Sequence, residues 1–360
     1  MSSSSTRPRI GILGAGQLAL MLAEAARNLD VDILCAGRPG DCAAQVAEVL
    51  SVDLEDPIAV SDFAAKVDAV TIESENIEAT VLSSLNLYPN AQAIAIAQDR
   101  LLEKDFLRRQ GIATAPYGAV DSLRDLHFAL DTIGAPSILK TRRLGYDGRG
   151  QVRLTHVDEA SAAWAHTGGA PCILEGMVRF DCEVSLIAAR NGRGNIVFYP
   201  LTENIHRAGI LRTSIAPFAN PSLQAKAEAY LRTLLEALDY VGVLAVEFFV
   251  QGDNLIANEM APRVHNSGHW TIEGSDTSQF ENCLRAILDL DLGSTLSRPT
   301  VMLNCIGTMP PEPETAAFPM IFRHDYGKVP RPGRKVGHLT FPASETAAIA
   351  EWQQRLSQSN

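Results

Sequence analysis

Val243-Leu244-Ala245-Val246-Glu247-Phe248-Phe249-Val250-Gln251-Gly252-Asp253-Asn254-Leu255-Ile256-Ala257-Asn258-Glu259-Met260 is the stretch on which the fold turns. Two apolar runs, 243–250 and 255–260, flank the turn-like Gln251-Gly252-Asp253-Asn254, so the segment reads as a β-hairpin. Each run carries one glutamate. If the turn is three residues long, Glu247 and Glu259 face each other across the hairpin, and like charges so placed repel. A divalent cation removes that repulsion. Two carboxylates beside the Asn258 amide are hard oxygen ligands, suited to a magnesium ion that nucleotide phosphates also hold. The competing picture, two glutamates on a wet edge, is opposed by Val246, Phe248 and Phe249, which favour burial.

Working outward, the chain continues as Ala261-Pro262-Arg263-Val264-His265-Asn266-Ser267-Gly268-His269-Trp270. An arginine, two histidines, an asparagine and a serine in one loop can bind an oxyanion and move protons near neutral pH. Upstream, Lys140 ends a short strand over 138–140 and opens Thr141-Arg142-Arg143-Leu144-Gly145-Tyr146-Asp147-Gly148-Arg149-Gly150-Gln151. The order is not that of a P-loop, but the logic is similar: glycines let amides close over phosphates while an ammonium neutralises them. A solvated basic turn is the bland alternative, and three glycines with four cations are costly to order without a ligand. Near the C-terminus, Lys328-Val329-Pro330-Arg331-Pro332-Gly333-Arg334-Lys335-Val336-Gly337-His338 is a basic cluster stiffened by prolines, a pattern that suits a phosphate monoester.

The N-terminal part alternates strand and helix, with strands over 10–13, 31–35 and 69–72, which predicts a parallel sheet covered by helices. Gly14-Ala15-Gly16-Gln17-Leu18-Ala19 follows the first strand and resembles a dinucleotide fingerprint with alanine at the third glycine position. No acidic residue ends the second strand, where Leu34-Cys35-Ala36-Gly37-Arg38 stands, so a nicotinamide dehydrogenase is the weaker reading and a tight turn without a ligand competes with it. Further on, a helix is expected over 99–109, strands over 172–177, 182–188 and 196–199, and a helix over 221–238, a mixture that predicts an α+β middle domain. Prolines at 299, 310, 311 and 313 mark the start of a small third domain. The expected division is 1–98, 99–296 and 297–360.

Composition bounds the partners. With 31 Lys plus Arg against 42 Asp plus Glu, the net charge of -11 disfavours a nucleic-acid or anionic-membrane partner, while a few clustered bases still suit a small phosphate. No apolar run is long enough to span a bilayer, and the polar, serine-rich start has no signal-peptide core. The cysteines, Cys35, Cys42, Cys172, Cys182, Cys283 and Cys305, form no CxxC pair, which fits reduced thiols and a cytoplasmic location.

Taken together, the 146–151 loop, the paired Glu247 and Asn258-Glu259, and the 258–270 segment resemble the ATP-grasp enzymes. Over nearly the whole chain, from Gly14-Ala15-Gly16-Gln17-Leu18 through Val70-Thr71-Ile72-Glu73-Ser74-Glu75-Asn76 to the Arg331-to-His338 run, the sequence is similar to the 5-(carboxyamino)imidazole ribonucleotide synthetase family of purine biosynthesis. That resemblance implies an α/β and α+β architecture: an N-terminal Rossmann-like parallel-sheet domain, a central ATP-grasp domain and a small C-terminal domain. It also implies carboxylation of 5-aminoimidazole ribonucleotide with ATP, bicarbonate and magnesium, two ions of it, by a homodimer.

Carried onto this chain, the resemblance implies that Arg100, Lys140 and Tyr146, Asp147, Gly148, Arg149, Gly150 and Gln151 meet the ATP phosphates. Glu175, Gly176, Met177, Val178 and Glu183 would hold adenine and ribose, with His206, Asn258 and Glu259 completing the nucleotide site. Glu247 and Glu259 would hold the metal. Gln17, Leu18, Glu75, Tyr146, Arg149, Asn266, Ser267, Lys328, Arg334 and Lys335 would receive the ribonucleotide. Lys140 and Arg263 would stabilise the transferring group, with Asp147 or His265 handling the proton. Two departures from the family pattern, Ala19 and Ser74, fall in the first-domain site. The alternatives are another ATP-grasp ligase, the dehydrogenase above, or a nucleotide-binding module without turnover.

Overall fold

The computed structural model describes residues 7–145, 150–318 and 320–358. Strands β1 (Arg9–Leu13), β2 (Asp32–Gly37), β3 (Glu48–Ser51) and β4 (Ala69–Ile72) form a parallel sheet in the order β3-β2-β1-β4. β1 and β4 read as unbroken apolar runs because both faces of the sheet are covered. One cover is the helix Gln17–Ala26, whose Leu18, Met21 and Leu22 pack in the core shared with the helix Gln279–Ile287. On the other face Phe63 of the helix Pro57–Ala64 lies so close to Gly11 that a Cβ there would meet its ring at 2.8 Å.

A second sheet is antiparallel: β5 (Tyr117–Val120), β6 (Ser137–Thr141), β7 (Gln151–Leu154) and β8 (Cys172–Gly176), in the order β5-β8-β6-β7. The helix Leu123–Ile133 buries Leu126, Ala129 and Leu130 against it, and Ser122 caps that helix by accepting from the Asp125 amide. The third sheet contains β9 (Cys182–Arg190), β10 (Ile196–Phe198), β11 (Thr202–Arg207), β12 (Ile210–Ala216), β13 (Gly242–Gln251), β14 (Asn254–Ala261), β15 (Thr300–Ile306), β16 (Phe322–Asp325) and β17 (Lys335–Pro342). Its path is β14-β13-β9-β11-β12-β15-β17-β16, with β10 paired to β9. The helix Pro221–Ala237 covers one face through Leu223, Ala227, Leu231, Leu234 and Leu235.

The expected parallel first sheet, α+β middle region and hairpin are all present. Three features were not read from the sequence. β11 carries Glu203, Asn204, His206 and Arg207 around a lone apolar Ile205, and in β12 Arg212, Thr213 and Ser214 interrupt the apolar residues, so alternation did not reveal them. The short polar strand β3 and the helix Leu123–Ile133 were also passed over. Finally, β12 pairs directly with β15, so the strands beyond 297 extend the middle sheet across the expected domain boundary.

The last helix, Thr346–Gln358, closes this extension by burying Trp352 against Phe318 at a ring separation of 6.2 Å. Because Trp352 is 1% exposed and shares one core with β15 and β17, Trp352→Ala is expected to lower unfolding stability by about 3–5 kcal/mol. Urea denaturation followed by far-UV circular dichroism measures it.

Candidate active site

The two hairpin glutamates do face each other, for a reason other than turn length. Gln251 pairs with Asn254, so the turn has two residues, with Gly252 at φ +56°. That register alone would set Glu247 opposite Asn258. A bulge between Glu247 and Phe248 inserts one extra residue on the second strand, and Glu247 then pairs with Glu259. The residue left over is Asn258, and its carbonyl, turned out of the ladder, accepts from Lys104 Nζ at 2.6 Å.

Facing carboxylates divide their charge unequally. Burial and then the neighbouring Glu259 push the Glu247 carboxyl up to about 7. Burial would raise Glu259 too, but Arg100 and Lys140 outweigh it and hold the group down to about 2. Arg100 NH1 stands 3.1 Å from Glu259 Oε2. Glu247 instead looks toward Glu183 and His206: the ligand atoms of the three lie within 4.8 Å of one another, and His206 Nδ1 is 3.0 Å from Glu183 Oε2. Burial lowers the His206 imidazole, but Glu183, Glu247 and Glu259 together raise it.

A knot of cations holds the opposite wall. The helix Arg100–Arg109 begins at Asp99, whose carboxylate accepts from the amides of Leu101 and Leu102 and grips Arg142 Nη2 at 2.7 Å. This ties the start of the helix to the segment after Lys140. Lys140 Nζ donates to Glu175 Oε2 at 2.9 Å, and Lys104 Nζ lies 3.7 Å from the same oxygen. Glu103, on the same face, accepts from the Met260 amide at 2.6 Å, and burial pushes its carboxyl up to about 8. Glu103 and Lys104 were missed from sequence. Their signal was available: Arg100, Glu103 and Lys104 share one helical face with the buried Leu107, an expensive place for three charges unless they serve a site.

The first sheet closes the cleft from the other side. Arg263 forms a two-point ion pair with Glu75, Nε to Oε2 at 2.6 Å and Nη2 to Oε1 at 3.1 Å, across 188 residues of chain. Lys328 Nζ donates to the Gln17 side chain, and Arg334 donates to the Val329 carbonyl. Lys335 is close enough to lower His265 and to oppose the raised pKa of Glu247. The glycine turn holds a ligand from its own chain: the Gly16 amide donates to Glu73, and a Cβ on Gly16 would sit 2.1 Å from Glu73 Oε1. The amide that would greet a dinucleotide phosphate is therefore spent on Glu73, another residue without a role in the sequence reading, and the dehydrogenase alternative loses its one support.

Other candidate residues separate by burial. Asn266 has both amide atoms buried and without a hydrogen-bond partner among the described residues, as a ligand contact would be before its ligand arrives. Ser267 is fully buried, with its hydroxyl bonded to Ser185 and His265, and Leu18 is 6% exposed in the core. Contact from Leu18 to a bound molecule would have to come through its backbone. Burial and then Arg263 push the His265 imidazole down to about 3. At the end of β8 the Gly176 and Met177 amides are taken by the carbonyls of Pro116 and Pro136. Tyr146, Asp147, Gly148 and Arg149 lie outside the described residues. Beyond them Gly150, at φ +68°, precedes Gln151, the first residue of β7, and a Cβ on Gly150 would meet Thr141 Oγ1 at 2.6 Å.

A hairpin carrying two facing carboxylates, a second small sheet supplying Lys140, a helix supplying Arg100 and Lys104, and a cleft between them define an ATP-grasp enzyme, and the comparisons agree. Residues 105–280 match the model of the ATP-grasp domain, 8–98 that of the ribonucleotide synthetase preATP-grasp domain, and 300–352 that of the phosphoribosylaminoimidazole carboxylase C-terminal domain. The N5-carboxyaminoimidazole ribonucleotide synthase of Pseudomonas aeruginosa is 46% identical over 95% of this chain and 96% of its own. The crystal structure of the Thermus thermophilus synthetase superposes with a TM-score of 0.90 at 48% identity, covering 97% of this chain and 98% of that one. The Aspergillus clavatus synthase in complex with ADP and 5-aminoimidazole ribonucleotide gives 0.85 at 29% identity, covering 98% of each chain. The chain belongs to the N5-carboxyaminoimidazole ribonucleotide synthase family.

The raised Glu247 carboxyl has a thermodynamic consequence. Because its folded pKa, about 7, exceeds the ordinary carboxyl value of 4.5, the folded state holds the proton more tightly, and stability falls as pH rises from 4.5 through 7. Glu247→Gln removes that loss. In metal-free, nucleotide-free buffer it is expected to raise unfolding stability at pH 8 by on the order of 1 kcal/mol and to change it little near pH 4.5, as thermal denaturation at the two pH values measures.

Proposed function

We propose that this enzyme, an ATP-dependent ligase, carboxylates the exocyclic amine of 5-aminoimidazole ribonucleotide with bicarbonate and releases ADP and phosphate. Family membership supports the reaction. The facing Glu247 and Glu259, set against Arg100, Lys140 and Lys104, is the observation that carries it for this chain's own residues. The Glu247 carboxyl, raised first by burial and then by the facing Glu259, is in an electrostatic state that a shared cation relieves, and the oxygen donors suit magnesium. When bound, one or two such ions supply charge neutralisation of the triphosphate.

The chain's own residues do the rest. Lys140 and Arg100, each now paired with a glutamate, are placed to turn toward phosphate oxygens when a nucleotide fills the cleft. The end of β8 suits an adenine edge, since the Val178 amide has no partner among the described residues while those of Gly176 and Met177 are used. Bicarbonate attacks the γ-phosphorus, ADP leaves, and carboxyphosphate or the carbon dioxide released from it is captured by the amine. The Glu75 and Arg263 pair stands between the first-sheet residues and the hairpin, where the two substrates must meet. Asn266, with its unpartnered amide, and the bases Lys328, Arg334 and Lys335 suit the ribonucleotide and its phosphate. Water would hydrolyse an acyl phosphate, so the cleft has to exclude it while both substrates are bound. A homodimer in the cytoplasm fits the family and the unpaired thiols; among the described residues no helix is long and apolar enough to cross a membrane.

Phosphate release in bicarbonate and magnesium tests the substrate. It is expected to rise at least about tenfold on adding 5-aminoimidazole ribonucleotide, and a rate indifferent to that nucleotide would point to another ATP-grasp ligase. Glu259→Gln is expected to abolish turnover by losing a metal ligand and the partner of Arg100. Near-normal ADP release by that variant counts against the metal assignment.

A further inference from the structure

The imidazole of His265 is clamped on every side except one. Its backbone is gripped by Gln279, which accepts from the His265 amide at 2.9 Å and donates to the His265 carbonyl at 2.6 Å. Its ring nitrogen Nδ1 accepts from the Ser267 amide at 3.3 Å and lies 2.8 Å from the Ser267 hydroxyl. An amide can only donate, so Nδ1 carries no proton, and the ring is the neutral tautomer with hydrogen on Nε2.

Behind Ser267 runs a dry chain of side chains. Ser214 Oγ donates to Asn204 Oδ1 at 2.8 Å, Asn204 Nδ2 donates to Ser185 Oγ at 2.9 Å, and Ser185 Oγ donates to Ser267 Oγ at 2.8 Å. With all three of its donors committed in one direction, the chain leaves the Ser267 proton only Nδ1 to go to. Ser214, Asn204, Ser185 and Ser267 are at most 4% exposed. Three polar groups on β9, β11 and β12, lined up with Ser267 of the turn Asn266–Gly268, cost desolvation and side-chain entropy that aliphatic residues would not. The far side of the ring faces the cleft: Nε2 is 3.6 Å from Glu247 Oε1, beyond hydrogen-bond length.

We propose that Ser214, Asn204, Ser185 and Ser267 are positioning residues that fix His265 as a neutral imidazole with its Nε2 proton presented to the cleft. His265 then serves as a stationary hydrogen-bond donor to an anionic oxygen of the transferring group, and the amine proton leaves by another route. Bringing a donor already oriented into a site that excludes water stabilises developing charge without reorganisation. This inference rests on the reaction assigned above and reassigns Ser267, whose buried hydroxyl supports the histidine and does not reach the ribonucleotide.

Long-range nitrogen–proton correlation spectra of the protein labelled at histidine nitrogen read the tautomer without any substrate. The expected spectrum shows His265 protonated at Nε2 alone, and one protonated at Nδ1 or mixed overturns the proposal. Turnover separates donor from proton carrier. Glutamine places an amide N–H near the Nε2 position and asparagine does not, so His265→Gln is expected to keep roughly tenfold more kcat than His265→Asn. Equal loss in the two variants would sink the donor role. Ser185→Ala should lower kcat roughly tenfold with KM for ATP and ribonucleotide within about twofold, whereas a purely structural role would lower the melting temperature and leave kcat intact. If the wild type proves indifferent to 5-aminoimidazole ribonucleotide, the substrate assignment fails while the tautomer spectrum still decides this proposal.

Discussion

Two carboxylates facing each other across a hairpin are the constraint around which the rest of this molecule is arranged. Glu247 and Glu259 are brought opposite by one inserted residue, and burial first, then the facing Glu259, raises the Glu247 carboxyl to about 7. A sheet selected for stability alone would carry aliphatic residues there. Keeping the repulsion makes sense where a cation and the phosphates that come with it discharge it, so the apo protein is strained in charge and complete only when loaded.

Once the hairpin is accepted, the surrounding ion pairs follow as ways of holding charge in readiness. Arg100, Lys104 and Lys140 are each held by an acidic or carbonyl oxygen that a nucleotide could replace or join. Asp99 and Arg142 fix the helix carrying two of these cations to the sheet carrying the third. On the opposite side Arg263 and Glu75, together with Lys328 and Gln17, tie the parallel sheet to the hairpin loop and to the C-terminal strands. A one-residue slip in the hairpin would disperse all of this, because every second residue would change face.

Much of this was legible in the sequence, and the failures have physical reasons. The apolar runs flanking Glu247 and Glu259 announce a buried hairpin, whereas the phosphate loop expected after Lys140 falls largely on 146–149, outside the described residues. The bulge at Asn258 could not be read, since nothing in Ala257-Asn258-Glu259 distinguishes a bulge from regular pairing; the correct facing was inferred from the wrong turn length. Gly14-Ala15-Gly16 was ambiguous because its occupant, Glu73, comes from 57 residues away. The serine and asparagine chain behind His265 was invisible for a similar reason: its members are scattered over 185–267, and only the pairing of β9, β11 and β12, with the turn Asn266–Gly268 packed on Ser185, brings them together.

The central claim is that the hairpin glutamates share a cation that also meets the nucleotide. Anomalous diffraction from crystals soaked with manganese and a non-hydrolysable ATP analogue measures this directly. The account predicts a manganese peak bonded to carboxylate oxygens of both Glu247 and Glu259 and to phosphate oxygens. A well-ordered analogue whose manganese binds neither glutamate would contradict it.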